Sequence, residues 1–223
     1  MMDRYRTLEG LLVGRKPLPG GDVILSFVTP EGAMQAVARK AMRPTGRSGR
    51  LSLFHHLRFQ VYQKPGNDLP TLTQAELVGR LEGLELPPRF AYASYLGELA
   101  FRLASPEVAS RIWPILVSGL RGIAKHPNSK IALVWAGWRV LRAAGLQPNL
   151  TGGGASLEEG SLTEEDRGVF LGPEGVQALR AVLFLPGSEA VEALEGAPLE
   201  RLLRALRVHA DHTVGTLNSA ALL

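Results

Sequence analysis

The sequence predicts an α+β protein, with a five-stranded barrel over residues 1–80 and an all-α helical domain over 81–223. Three observations carry that prediction. Up to residue 80, apolar residues alternate in short runs broken by Pro and Gly. Beyond it the period becomes helical, and Pro, Ser and Asn stand where helices would start. The charge balance also changes sign along the chain. Residues 1–80 hold 12 Lys/Arg against 6 Asp/Glu, residues 81–150 hold 8 against 4, and residues 151–223 hold 5 against 11. A basic front two thirds points to a polyanionic partner, most often nucleic acid, with ordinary solvated charge as the alternative.

The first predicted strand is Thr7–Lys16 (TLEGLLVGRK), stopped by the turn residues PLPGGD. Val23–Thr29 (VILSFVT) is β-branched and aromatic, and Pro-Glu-Gly at 30–32 turns it into Ala33–Arg39. The tract RKAMRPTGRSGR, residues 39–50, is polar and glycine-bearing and reads as a loop. Leu57–Gln63 alternates, with Leu57, Phe59 and Val61 on one face and Arg58, Gln60 and Tyr62 on the other. After the turn KPGND, Leu72–Val78 is the fifth strand. Five short strands in about eighty residues suggest a small antiparallel barrel, of which the OB type is the common nucleic-acid-binding version.

In the helical part, Phe90–Ala104 places Tyr92, Tyr95, Leu96, Leu99 and Leu103 on one face. Ser105-Pro106-Glu107 reads as N-cap, N1 proline and first-turn acid of a second helix that runs to Ala124, with Pro114 inside it. A third helix spans Asn128–Ala144 and ends at Gly145. Residues 147–172, glycine-rich and acidic, read as a loop, and two more helices follow from Pro173 and Pro198.

Several function classes lose support. There is no cysteine, which excludes disulfides, thiol catalysis and cysteine-based zinc sites and fits a cytoplasmic protein. No apolar run reaches membrane-spanning length, and MMDRYRTLEG has no secretory h-region. The sequence lacks GxxxxGK[ST], G-x-S-x-G and HExxH, so no catalytic residues are assigned. The Gly152–Gly154 run follows no predicted strand, and the acids Glu158, Glu159, Glu164, Glu165 and Asp166 do not have the EF-hand spacing. His55 and His56 are adjacent on a strand and point to opposite faces, and His209 and His212 lack a third ligand, so no metal is assigned.

The basic loop is more specific. Arg39, Lys40, Arg43, Arg47 and Arg50 fall within twelve residues after a predicted strand. Such charges beside a barrel can track a phosphate backbone. Arg15 and Lys16 close the first strand and Lys64 follows the fourth, so they are candidates to join them. Phe54 and Tyr62 are candidate stacking platforms, with the barrel core as the alternative for either.

The run LSLFHHLRFQVYQKPGNDLPTLTQAELV, residues 51–78, resembles the RecO recombination-mediator family of DNA repair. The points of resemblance are Ala38-Arg39, the loop to Arg50, Leu53–His56, Phe59–Gln63 and Asp68-Leu69 through Ala75-Glu76. The opening GLLVGRKPLPGGDVILSFVTPEG and the segment Phe90–Leu103 are similar as well, and the resemblance covers about residues 1–145. It implies an OB-fold followed by a helical domain. It also implies binding of single- and double-stranded DNA, strand annealing, a complex with RecR, contact with the acidic tail of single-stranded-DNA-binding protein, and loading of RecA, without nucleotide hydrolysis and without a cofactor of its own.

Many members carry a CxxC…CxxC zinc module after the third helix. Here residues 147–172 stand in that place without a cysteine, so a degenerate, metal-free remnant is expected.

In the helical region, Arg121 and Lys125 are further candidates for DNA contact. Trp135, Arg139 and Arg142 fall at i, i+4 and i+7 and share one helix face. That face is the candidate site for the acidic partner tail the resemblance implies. The competing reading is a protein-interaction adaptor that binds an acidic tail, with DNA contact incidental.

Overall fold

The structure, a computed structural model, describes residues 4–40, 51–165 and 168–223. It divides into two compact units. One comprises Met1–Glu82 with Ala100–Trp113, and the other Gly83–Leu99 with Pro114–Leu223.

The first unit is built on strands β1 (Tyr5–Pro17), β2 (Val23–Thr29), β3 (Gly32–Ala38), β4 (His56–Tyr62) and β5 (Thr71–Gly79). They close a barrel in the order β1-β2-β3-β5-β4. Strand β1 serves two partners: Tyr5–Leu11 pairs with β4 and Leu11–Pro17 with β2. At the changeover a Cβ on Gly10 would lie 2.8 Å from the Val28 carbonyl oxygen, so only glycine fits there. A bulge between Leu12 and Gly14 bends the second half of the strand onward.

Alternation decides what fills the barrel. Leu8, Leu12, Val23, Leu25, Phe27, Leu57, Phe59 and Val61 point inward and form one core. Phe27 and Phe59 stack at its centre with ring centroids 4.1 Å apart. Truncating either ring to alanine should cost about 3–5 kcal/mol. Between β2 and β3, the Thr29 hydroxyl accepts the Glu31 and Gly32 amides, each at 3.1 Å, and fixes the turn. The Ala33 amide donates to the Ala104 carbonyl at 2.7 Å, which fastens the 100–113 segment to β3.

The helices are α1 (Arg89–Leu103), α2 (Ala109–Lys125), α3 (Ser129–Ala143), α4 (Gly172–Phe184), α5 (Gly187–Glu192) and α6 (Leu199–Val214). Within the second unit, α2 and α3 approach closely because small residues face each other. A Cβ on Gly119 would lie 2.5 Å from that of Ala136, and one on Gly122 would lie 2.8 Å from that of Ala132. Asn128 caps α3 by accepting the Lys130 amide, and Gly145 ends it with φ +79° while the Leu146 amide returns to the Leu141 carbonyl.

Three expectations need correction. Helix α2 starts at Ala109 rather than Ser105. The Val108 and Ala109 amides both turn back to the Ser105 carbonyl, so residues 105–108 form a turn ahead of the helix. The second unit is not all-α, and residues 147–172 are not simply a loop. They contain β6 (Ser156–Glu158), β7 (Ser161–Thr163) and β8 (Val169–Phe170), a sheet in the order β7-β6-β8. Backbone bonds from Asn149 to Gly160 and from Leu171 to Ala155, with Leu150, Leu157, Leu162, Val169 and Leu171 buried, hold it together. The structure also contains α5 and a 3-10 turn at Asn218–Leu222, which the sequence reading does not give.

Candidate nucleic-acid interface

Cross-strand pairing puts the strand ends that carry five of the predicted cations along one band. Successive partners run Lys16–Ile24, Ile24–Val37, Val37–Thr71, Thr71–Tyr62 and Tyr62–Tyr5. The connections leaving these positions carry the charge. Arg15 and Lys16 are exposed at the end of β1, Arg39 and Lys40 after β3, and Lys64 after β4. Two hydrogen bonds stitch the band together. Asp22 Oδ1 accepts the Lys40 amide at 2.8 Å, and the Val37 amide donates to the Pro70 carbonyl at 2.9 Å. Arg43, Arg47 and Arg50 lie outside the described residues.

These cations differ from their neighbours in pairing. Arg6 is bound to Glu31 at 3.0 Å, Arg58 lies 3.7 Å from Glu9, and Arg80 is bound to Glu82 at 2.8 Å. Among the described residues, no ion pair engages Arg15, Lys16, Arg39, Lys40 or Lys64. Their charge is therefore available to a polyanion.

The aromatic candidates separate. Phe54 is 3% exposed, so it is core and not a platform. Its amide donates to the Leu12 carbonyl at 2.7 Å, and its φ of +64° marks a tight turn onto β1. Tyr62 is half-buried on the outer face of β4, paired with Tyr5. The two rings lie 4.9 Å apart, and Tyr5 is 51% exposed. Tyr5 escaped sequence reading because its significance depends on the β1–β4 register.

His56 opens β4 six residues from Tyr62, about 20 Å away at strand rise, and His55 precedes the strand. The Leu12 amide donates to the His55 carbonyl at 3.1 Å. His56 Nε2 lies 2.8 Å from Glu9 Oε1, and its ring meets Trp113 edge-on at 5.5 Å. Among the described residues, no three His, Asp or Glu side chains group as metal ligands.

In the second unit, Arg121 and Lys125 are exposed one turn apart on α2. Trp135, Arg139 and Arg142 do come together on α3. The Arg139 guanidinium carbon lies 6.0 Å from the Trp135 ring centroid, and that of Arg142 lies 5.2 Å from Phe184. Both arginines have a structural task that the sequence did not reveal. Arg139 donates to the Leu185 carbonyl and Arg142 to the Leu183 carbonyl, closing the C-terminal end of α4. Burial, and then the neighbouring Arg142 charge, lower the Arg139 pKa from its ordinary value. Trp138 is fully buried and belongs to the core.

Comparison with known proteins bears on this geometry. Residues 2–81, the barrel sequence, match the family described as "Recombination protein O N terminal". Three proteins named DNA repair protein RecO are similar to the chain. That of Heliobacterium modesticaldum is 29% identical over 67% of this chain and 55% of its own length. That of Roseiflexus is 28% identical over 90% and 73%, and that of Symbiobacterium thermophilum is 37% identical over 41% and 37%. Residues 2–81 carry the RecO N-terminal sequence, and the chain is similar to RecO proteins. The match spans only about half of the Heliobacterium RecO protein. Among the described residues, no helix is long and apolar enough to cross a membrane.

Proposed function

We propose that this chain is a non-enzymatic, DNA-binding recombination mediator acting in DNA repair. The observation that carries the reading is the band of cations with no ion pair among the described residues, Arg15, Lys16, Arg39, Lys40 and Lys64, on a barrel whose sequence matches the RecO N-terminal family. Cations along a groove or band neutralise phosphates on two strands and lower their repulsion, so that bases can pair. Annealing of complementary single strands is the activity expected. Arg43, Arg47 and Arg50 extend the same basic tract in the sequence, and Arg121 and Lys125 supply a second basic surface on α2.

We read the barrel as an OB-fold. Two features support this: the closed order β1-β2-β3-β5-β4, and a cross-strand path that leaves β1 at Lys16 and returns to it at Tyr5. The β6–β8 sheet is read as the metal-free counterpart of the family's zinc module, its place taken by backbone pairing and five buried apolar side chains. Similarity to RecO proteins further suggests RecR, the acidic tail of single-stranded-DNA-binding protein and RecA-coated strands as the setting, with the cytoplasm as the compartment. Trp135, Arg139 and Arg142 are the residues proposed for the acidic tail, because their face combines a half-buried indole with two guanidinium groups.

Fluorescence anisotropy with labelled single- and double-stranded oligonucleotides tests the reading. Binding to both, weakening steeply with salt, is expected. If the chain binds neither at low salt but does bind an acidic tail peptide, the adaptor reading replaces this one.

A further inference from the structure

We propose that Tyr5 and Tyr62 form a stacking platform for unpaired nucleobases at the end of the cation band. The inference rests on the DNA-binding reading above and adds what that reading leaves open, namely which part of the ligand, beyond phosphate, the barrel selects.

Tyr5 and Tyr62 are direct cross-strand partners on β1 and β4. Leu57, Phe59 and Val61 of β4 are buried in the barrel, so Tyr62 lies on the outer face. The rings are tilted by 43° with centroids 4.9 Å apart, and about half of Tyr5 is open to solvent. A single exposed aromatic is unremarkable on a protein surface. A registered pair beside the cation band is a different arrangement.

The Gln63 amide donates to the Arg4 carbonyl at 2.9 Å, so Arg4 and Lys64 both leave the strand ends just beyond the pair. In the other direction the band runs Tyr62–Thr71–Val37 and reaches Arg39 and Lys40. Three strand spacings separate Tyr5 from Val37, about 15 Å of barrel surface. Farther along β1 and β4 the same face carries Glu9, Arg58 and Glu76 in one cross-strand row, so its acidic part lies away from the tyrosines.

Aromatic rings flanked by cations suit single-stranded nucleic acid, whose bases expose π-faces while its phosphates seek positive charge. Duplex DNA offers this platform little, because its bases are stacked inside and show only their edges. The platform therefore favours unpaired strands, and it would hold bases splayed before they anneal.

The test compares an oligothymidine about 20 nucleotides long with a strand of equal length and charge whose central bases are replaced by abasic sites. The parent protein should bind the intact strand about tenfold or more tighter. Tyr5→Ala with Tyr62→Ala should abolish that difference and leave the salt slope unchanged, since no cation is removed. Tyr5→Phe with Tyr62→Phe should preserve the difference, because the ring stacks and the hydroxyl does not. Equal affinity of the parent for the two strands overturns the platform, and that arm needs no variant to fold. A double alanine variant that still prefers the intact strand also overturns it. A parent that binds neither strand overturns the DNA-binding reading itself, a distinct result.

Discussion

Asp22 and Lys40 tie the β1–β2 turn to the end of β3: the Asp22 carboxylate accepts the Lys40 amide at 2.8 Å. Lys40 has φ +53°, a left-handed conformation that a side-chain-bearing residue rarely adopts, and this bond helps to hold it there. The carboxylate is thus a fastener placed among the cations of the band, and its charge works against a polyanion.

Removing only that charge should therefore tighten DNA binding. Asp22→Asn keeps an acceptor for the Lys40 amide, and affinity at low salt is expected to rise about two- to fivefold with the thermal midpoint nearly unchanged. Asp22→Ala loses the acceptor as well and should cost about 1 kcal/mol of stability. Anisotropy and thermal melts check both. Weaker binding by Asp22→Asn would show that the carboxylate orders the site more than it repels the ligand.

The two arginines of α3 carry a structural and a proposed binding role, and substitutions can separate the two. Arg142→Ala removes the donor to Leu183 and the stacking over Phe184, so it should destabilise the chain by about 1–3 kcal/mol. Trp135→Ala leaves both guanidinium bonds to α4 in place and should weaken an acidic tail peptide without that capping loss. Denaturant midpoints and peptide anisotropy, measured where each variant is folded, distinguish the roles. Unchanged peptide affinity in Trp135→Ala would place tail binding elsewhere.

Glu98 of α1 clamps the last described turn. It accepts the Asn218 amide at 3.0 Å, Asn218 Nδ2 at 3.1 Å, the Ser219 amide at 2.8 Å and the Ser219 hydroxyl at 2.6 Å. Glu98→Ala should cost about 1.5–3 kcal/mol and expose residues 216–223 to proteolysis well before the helices. Parent-like cleavage kinetics would show that buried Leu217 and Ala220, with the Arg207 bond to the Ala220 carbonyl, hold the segment without Glu98.

His209 predicts an acid sensitivity. Burial lowers its pKa from the ordinary value. The bond of Nε2 to the Leu146 carbonyl acts against that shift, and the His212 charge adds to it. The unfolded chain therefore takes up this proton first, at about pH 6.5. Stability is full above that pH and declines as pH falls toward the lower folded value. His209→Gln should flatten the dependence below about pH 6.5. Urea midpoints across that range test it, and a variant as acid-sensitive as the parent would assign the loss to another group.

Much of the fold was legible because alternation and turn residues act locally. The limits of β2 were read directly from VILSFVT, and the inward set Leu57, Phe59 and Val61 followed from period two. Strands β6 to β8 were missed because two or three residues are too few to show a period, and the surrounding glycines read as loop. One of those glycines is obligatory: a Cβ on Gly154, at φ +107°, would sit 2.0 Å from the Thr163 carbonyl oxygen. The candidate site was legible in its cations and obscure in its aromatics. Phe54 was drawn into the core by a turn, and Tyr5 became visible only through its partner on β4. The capping role of Arg139 and Arg142 depends on α4, which lies about forty residues farther along the chain.

The central claim is that the cations of the barrel's band neutralise phosphates. The most direct test is the slope of log affinity against log salt for single-stranded DNA, compared between the parent and Arg39→Glu/Lys40→Glu/Lys64→Glu. Each phosphate contact contributes about 0.7 to that slope. The triple variant should bind at least tenfold more weakly at low salt and lose about two units of slope while keeping the parent's thermal midpoint. A variant with the parent's affinity and slope would contradict the claim and place the polyanion on another surface.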